Sequence, residues 1–112
     1  MMSGRISTAF FEGASGERYR FEVYQMDTIF KQGLNGVYVI ARRSKLKEGF
    51  DLEPLFIGEK EDLYFLQGYH PQQNCYLKHG ANCKCIRIES SKELRKAFVE
   101  DLIDYYQPAC NG

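Results

Sequence analysis

Two groups of residues in this chain have types and spacings that suggest chemistry. The first is a set of soft donors: Cys83 and Cys85, with Cys75, His79 and His70 a short way upstream. Thiolate and imidazole are the ligands zinc prefers, but structural zinc sites are usually built on Cys-x-x-Cys knuckles, and none occurs here. Cys83-Lys84-Cys85 lies in an alternating segment that turns both sulfurs to one side of a strand. The four cysteines, Cys110 included, are therefore read as reduced, small buried hydrophobes, with no metal bound and no cofactor expected. The second group is a basic run, Arg42-Arg43-Ser44-Lys45-Leu46-Lys47. With Tyr38 a few residues before it, the run could hold a phosphate, although such runs are more often solvated loops.

The whole chain weakens a phosphate-binding role. Its 112 residues carry 15 basic and 15 acidic side chains, a formal charge of zero. Nucleic-acid binding draws most of its affinity from neutralised phosphates, so basic excess is its usual mark. A nucleic-acid partner is retained as an alternative only. The length suits one domain with one modest core. A hydrophobic fraction of 44% with 14% aromatics excludes a disordered chain. No apolar run reaches membrane-spanning length, and Met1-Met2-Ser3-Gly4-Arg5 lacks a signal-peptide core, so no membrane contact and a cytoplasmic location are expected.

The elements that must position these residues follow from pattern. Ile6 to Phe11 and Arg18 to Tyr24 are extended runs joined by Gly13-Ala14-Ser15-Gly16, which predicts a hairpin. Asp27-Thr28 predicts a short helical turn through Phe30. Gly36 to Ala41 and Glu53 to Gly58 are further strands, with Arg42 to Gly49 a charged loop between them. A helix is expected from Glu61 to about Gln67, and another from Pro71 through Lys78. Cys83 to Ile88 is a fifth strand. Ser90 and Glu93 suggest a capping box for a last helix reaching about Tyr106, buried along Leu94, Ala97, Phe98, Leu102 and Tyr105, with Val99, Ile103 and Tyr106 as a second apolar line. The fold class is α/β (α+β): a small mixed or antiparallel sheet flanked by helices, with an N-terminal hairpin. One domain spans 1–112, of which 1–35 is a hairpin extension and 36–112 the core.

Three segments of that core stand in a suggestive order: Gly36-Val37-Tyr38, Phe56-Ile57-Gly58, and Leu102-Ile103 followed by Tyr106, Pro108 and Asn111. Together with Glu61-Asp62-Leu63, the chain from Gly36 to Asn111 resembles the GIY-YIG domain, a module that cuts phosphodiesters with one divalent metal. The order β-β-α-β-α is the family's own. The resemblance implies that Tyr38 matches the tyrosine that helps activate the attacking water. It also implies that His70 and Asn111 match two further motif positions. The remaining positions have changed. Phe56 stands for the second tyrosine, Leu66 for the phosphate-binding arginine and Val99 for the metal-binding glutamate.

Those changes decide the expected activity. A hard divalent ion wants oxygen ligands, and valine offers none. Losing one charge-stabilising group alone costs about 10²–10³ in rate. Glu100 sits one residue from the lost glutamate, about 100° away around a helix. A non-catalytic binding or accessory module is therefore expected. Leu66 and Val99 would turn a charged groove into an apolar one, suited to a small ligand, a protein partner or a second copy. The alternative is a divergent endonuclease using Mg²⁺ or Mn²⁺ with Tyr38, His70 and a substitute carboxylate. Each surviving residue also has a packing role open to it: Tyr38 as a core aromatic, His70 as a cap ahead of Pro71, Asn111 as a tie for the chain end.

Overall fold

Alternation in Arg18-Tyr19-Arg20-Phe21-Glu22-Val23 is realised as a strand whose Tyr19, Phe21 and Val23 are buried. The computed structural model describes residues 4–112, so the opening Met1-Met2-Ser3 of the leader reading lies outside the described residues. Five strands form one sheet: β1 (Arg5–Glu12), β2 (Arg18–Gln25), β3 (Gly36–Lys45), β4 (Phe50–Lys60) and β5 (Cys83–Ile88). Their order is β1-β2-β5-β3-β4, and every pairing is antiparallel. A 3₁₀ turn (Leu63–Leu66) and α1 (Gln73–Lys78) follow β4, and α2 (Lys92–Tyr106) follows β5. No helix among the described residues is long and apolar enough to cross a membrane.

Register sorts the side chains into two cores. Val23, Cys85, Val39 and Ile57 stand in one row across four strands, and α2 packs on that face through Phe98, Val99, Leu102, Ile103 and Tyr106. The neighbouring row, Tyr24, Lys84, Ile40 and Phe56, points the other way, because successive side chains alternate across a sheet. That second face is covered by Phe30, Leu63, Leu66, Tyr76 and Cys110. β2 keeps the one wet face that its alternation suggests, with Arg18 and Arg20 exposed opposite Tyr19, Phe21 and Val23.

Several expectations are corrected. The first half of Arg42 to Gly49 is strand rather than loop: the β3–β4 ladder runs out to Lys45 opposite Phe50, and only Leu46 to Gly49 connects the two strands. Cross-strand pairs hold it, with Arg42 Nη2 2.7 Å from Glu53 Oε1 and the Arg43 guanidinium 3.5 Å above the Phe50 ring. Asp27 to Phe30 is not a helix: Met26 and Asp27 form a turn closed by the Thr28 N–H on the Gln25 carbonyl, and Thr28 to Phe30 is irregular. The helix after Glu61 is only the 3₁₀ turn, capped by Asp62, which accepts the Tyr64 N–H.

The cap of α2 is Ser91, whose hydroxyl accepts the Leu94 N–H, and not Ser90. The buried stripe of α2 is rotated accordingly. Arg95 takes the place expected of Leu94, which is 46% exposed, and Tyr105 is 51% exposed. Arg95 is tolerated there because Glu59 on β4 receives its Nε at 2.8 Å and the carbonyls of Glu89 and Ser90 receive Nη1.

Candidate functional site

Tyr38 on β3 and Gly58 on β4 are paired directly across the ladder. The Tyr38 ring lies over Gly58 so closely that a Cβ there would stand 2.8 Å from the Tyr38 hydroxyl oxygen. Gly36 is required by a similar approach, since its Cβ would meet the Arg87 carbonyl oxygen at 2.7 Å. Both motif glycines are thus explained by close packing.

The Tyr38 hydroxyl is 3.0 Å from His70 Nε2, and His70 Nδ1 accepts the Gln72 N–H at 3.0 Å. An imidazole nitrogen that accepts from a backbone amide carries no proton. The neutral ring therefore holds its proton on Nε2 and donates it to the Tyr38 oxygen. Burial keeps both groups neutral. It lowers the His70 pKa, helped by the charge of Lys60, and raises that of Tyr38, helped by Tyr76 and Glu59. Phe56 and Tyr76 complete an aromatic wall, with ring centroids 4.9 and 5.5 Å from His70. A neutral phenol receiving a hydrogen bond from a neutral imidazole is a packed polar pair. His70 offers Tyr38 no free lone pair with which to take a proton.

The other anticipated residues are spread over the molecule. Leu66 is buried on the Tyr38 face, whereas Val99 packs into the core on the opposite face. The anticipated Leu66–Val99 groove does not form, because the sheet separates its two walls. Glu100 is exposed beside Tyr19 and Asp101 on α2, on the helix side of the sheet, away from Tyr38. Arg42 and Arg43, adjacent in a strand, point to opposite faces and are engaged with Glu53 and Phe50 as described. Asn111 clamps the outer edge of β4, its side chain bonding both the N–H and the carbonyl of Ile57 at 2.8 Å. This protects an otherwise open edge.

Leu66 does line a different cavity, of about 270 Å³, with Met26, Ile29, Tyr76 and Leu77 as apolar walls and Asp27, Gln67, Gln73 and Lys84 as polar ones. Lys84 went unnoticed in the sequence because alternation turns it away from Cys83 and Cys85, toward what looked like solvent. It is only 5% exposed. Its ammonium donates to the Thr28 carbonyl at 3.2 Å, which uses one of three protons. Among the described residues no carboxylate lies within ion-pair distance of it. Burial lowers its pKa, opposed by the charge of Asp27.

The cysteines also depart from expectation. Cys75 on α1 and Cys110 in the tail form a disulfide, while Cys83 and Cys85 are free and buried. The thiols read as uniformly reduced are thus two pairs with different fates. The pairing was hidden in sequence because the 35-residue separation closes only when the tail wraps β4. His79 joins the first pair: one donor atom from each of Cys75, His79 and Cys110 falls within 4.8 Å of the others. Cys83, Cys85 and His70 stand apart from that cluster.

Compared with known protein-family models, curated proteins and solved structures, the chain finds no match in any of the three.

Proposed function

We propose that the chain is a non-catalytic binding module built on a GIY-YIG-like frame, and that it takes a small ligand with an apolar body and one anionic group. The carrying observation is the Leu66 cavity, which has the buried Lys84 as well as Asp27 among its lining residues. A buried cation normally has a partner, and this one has two protons to offer. Its volume lies just under the ~300–1,000 Å³ usual for ligand clefts, so the ligand is small. Met26, Ile29, Leu66 and Leu77 supply apolar walls. A carboxylate on Lys84 would add a charge-assisted hydrogen bond. The frame is supported by the order of elements from Gly36 to Asn111 and by the close packing at Gly36 and Gly58.

The test is an NMR titration with benzoate and phenylacetate beside their neutral amides. The acids should shift amide resonances around Leu66, Tyr76 and Lys84 and bind more tightly than the amides. Lys84→Met should weaken the acids by roughly tenfold or more, the scale of a hydrogen bond to a charged group. Absence of shifts with every probe, or equal binding of acid and amide, sinks this reading.

The endonuclease alternative keeps one point in its favour, that Tyr38 and His70 meet, although as bonded the pair supplies no base. It needs a metal-binding carboxylate beside that pair. The carboxylate whose charge acts on Tyr38 is Glu59, which is engaged with Arg95. A nicking assay on supercoiled plasmid with Mg²⁺ or Mn²⁺ should show no cutting above background. Cutting that disappears in Tyr38→Phe would establish the alternative.

A further inference from the structure

We propose that Cys75, His79 and Cys110 form a thiol-gated zinc site: closed as a disulfide in the structure described, and able to hold Zn²⁺ once that bond is reduced. Cys75 and His79 stand four residues apart, and their donor atoms meet on one side of α1. Cys75 Sγ is 4.0 Å from His79 Nδ1. The third donor arrives from the tail, and its position does not depend on the sulfur–sulfur bond. The Cys110 N–H donates to the Leu55 carbonyl at 2.9 Å, and Asn111 next to it grips Ile57 twice. Tyr76, buried between Cys75 and the sheet, anchors α1. Reduction therefore leaves both thiols facing each other beside the imidazole.

The spacing suits a tetrahedral ion. Zinc–sulfur and zinc–nitrogen bonds of about 2.3 and 2.05 Å place ligating sulfurs about 3.8 Å apart and sulfur and nitrogen about 3.6 Å apart. The three donors already lie within 4.8 Å of one another, so side-chain rotation alone brings them to that geometry. His79 Nδ1 now donates to the Cys75 carbonyl at 2.9 Å. Ligation through this nitrogen moves its proton to Nε2, where the exposed ring meets water. Three protein ligands with solvent on the His79 side leave the fourth position to a water.

The chemistry balances. A dithiol reductant gives two electrons and two protons to the disulfide, becoming a disulfide itself and leaving two thiols. Zn²⁺ then displaces the two thiol protons and binds the thiolates. Either cross-link, sulfur–sulfur or sulfur–zinc–sulfur, holds the tail against α1.

The experiment uses the full chain, reduced with a phosphine, desalted without oxygen and titrated with Co²⁺, then back-titrated with Zn²⁺. Thiolate-to-cobalt charge-transfer absorption should saturate at one equivalent and vanish as zinc displaces cobalt. Oxidised protein should bind none. Cys75→Ser and Cys110→Ser should weaken binding about a hundredfold or more and His79→Ala about tenfold or more, since each removes a ligand. A Cys83→Ala/Cys85→Ala variant should bind as the parent does. If the reduced chain unfolds, one equivalent of Zn²⁺ should restore its circular dichroism, and His79→Ala should need about tenfold or more higher free Zn²⁺ for the same recovery. The proposal is overturned if the reduced chain neither binds nor refolds with metal. It is equally overturned if binding ignores His79 or follows Cys83 and Cys85.

Discussion

Replacing Tyr38 with phenylalanine removes one oxygen and separates a packing role from a chemical one. That oxygen is the acceptor for His70 Nε2–H, on a histidine only 8% exposed. A buried donor stranded this way costs about 1–3 kcal/mol, against about 0.5–1.5 kcal/mol for an ordinary hydrogen bond lost with both partners. His70 has aromatic rings on two sides, Phe56 and Tyr76, so water has poor access and about 2 kcal/mol is expected. For a domain of this size that lowers Tm by about 8–12 °C. Urea unfolding of Tyr38→Phe, His70→Leu and the double variant gives the coupling. Once His70 is gone its Nε2–H cannot be stranded, and the lost Gln72 bond is common to the single and double variants, so the double variant should be about 1–2 kcal/mol less destabilised than the sum of the singles. A Tyr38→Phe protein within about 0.5 kcal/mol of the parent, the scatter of ordinary surface changes, would refute the structural role of the bond. If metal-dependent nicking vanished in the same variant, the tyrosine would be a catalyst after all.

Two further outcomes follow from the same geometry. Burial lowers the His70 pKa, so the unfolded chain takes up a proton that the folded chain refuses. His70 thus contributes its full stability above the unfolded value near 6.5. That contribution is lost as pH falls from there toward the lowered folded value. Urea midpoints between pH 7.5 and 5 should fall more steeply for the parent than for His70→Leu, and parallel curves would contradict the assignment. Glu59→Ala should cost about 2–4 kcal/mol in urea unfolding. It strands the Arg95 guanidinium, 2% exposed on its side chain, with only the Glu89 and Ser90 carbonyls left. Arg95→Met should cost about 1 kcal/mol or less, since Glu59, 23% exposed, can hydrate. The reverse ranking would mean that the pair is not the reason a charge is tolerated in the α2 stripe.

Much of the fold was legible because it rests on local chemistry. The Gly13–Gly16 turn, the alternation in β2 and the helix ending before Pro108 each carry their own signal. The stripe of α2 was misread because Arg95 occupies a core position by virtue of Glu59, some 36 residues earlier in the chain, and periodicity alone assigns that place to an apolar neighbour. The β3–β4 extension was misread for a similar reason. Arg42 and Arg43 look like loop residues until Glu53 and Phe50 stand opposite them. In each case a long-range partner overrides local propensity.

The site was legible residue by residue but not as an assembly. Tyr38 and His70 do meet, across 32 residues of sequence. Leu66 and Val99 do not meet, because sequence spacing cannot say on which face of a sheet a later helix will settle. That difference changes what the losses mean. Val99 belongs to the packing between α2 and the sheet, so a carboxylate there would be buried among apolar side chains unless the helix turned. Leu66 instead belongs to the core on the Tyr38 face and lines the cavity that Lys84 also borders. The cavity it borders is mixed in character, with Asp27, Gln67, Gln73 and Lys84 among its lining beside Met26, Ile29, Tyr76 and Leu77. The same sheet that keeps Val99 and Glu100 from the Tyr38–His70 pair therefore sets that neutral pair on the face that also carries the buried Lys84.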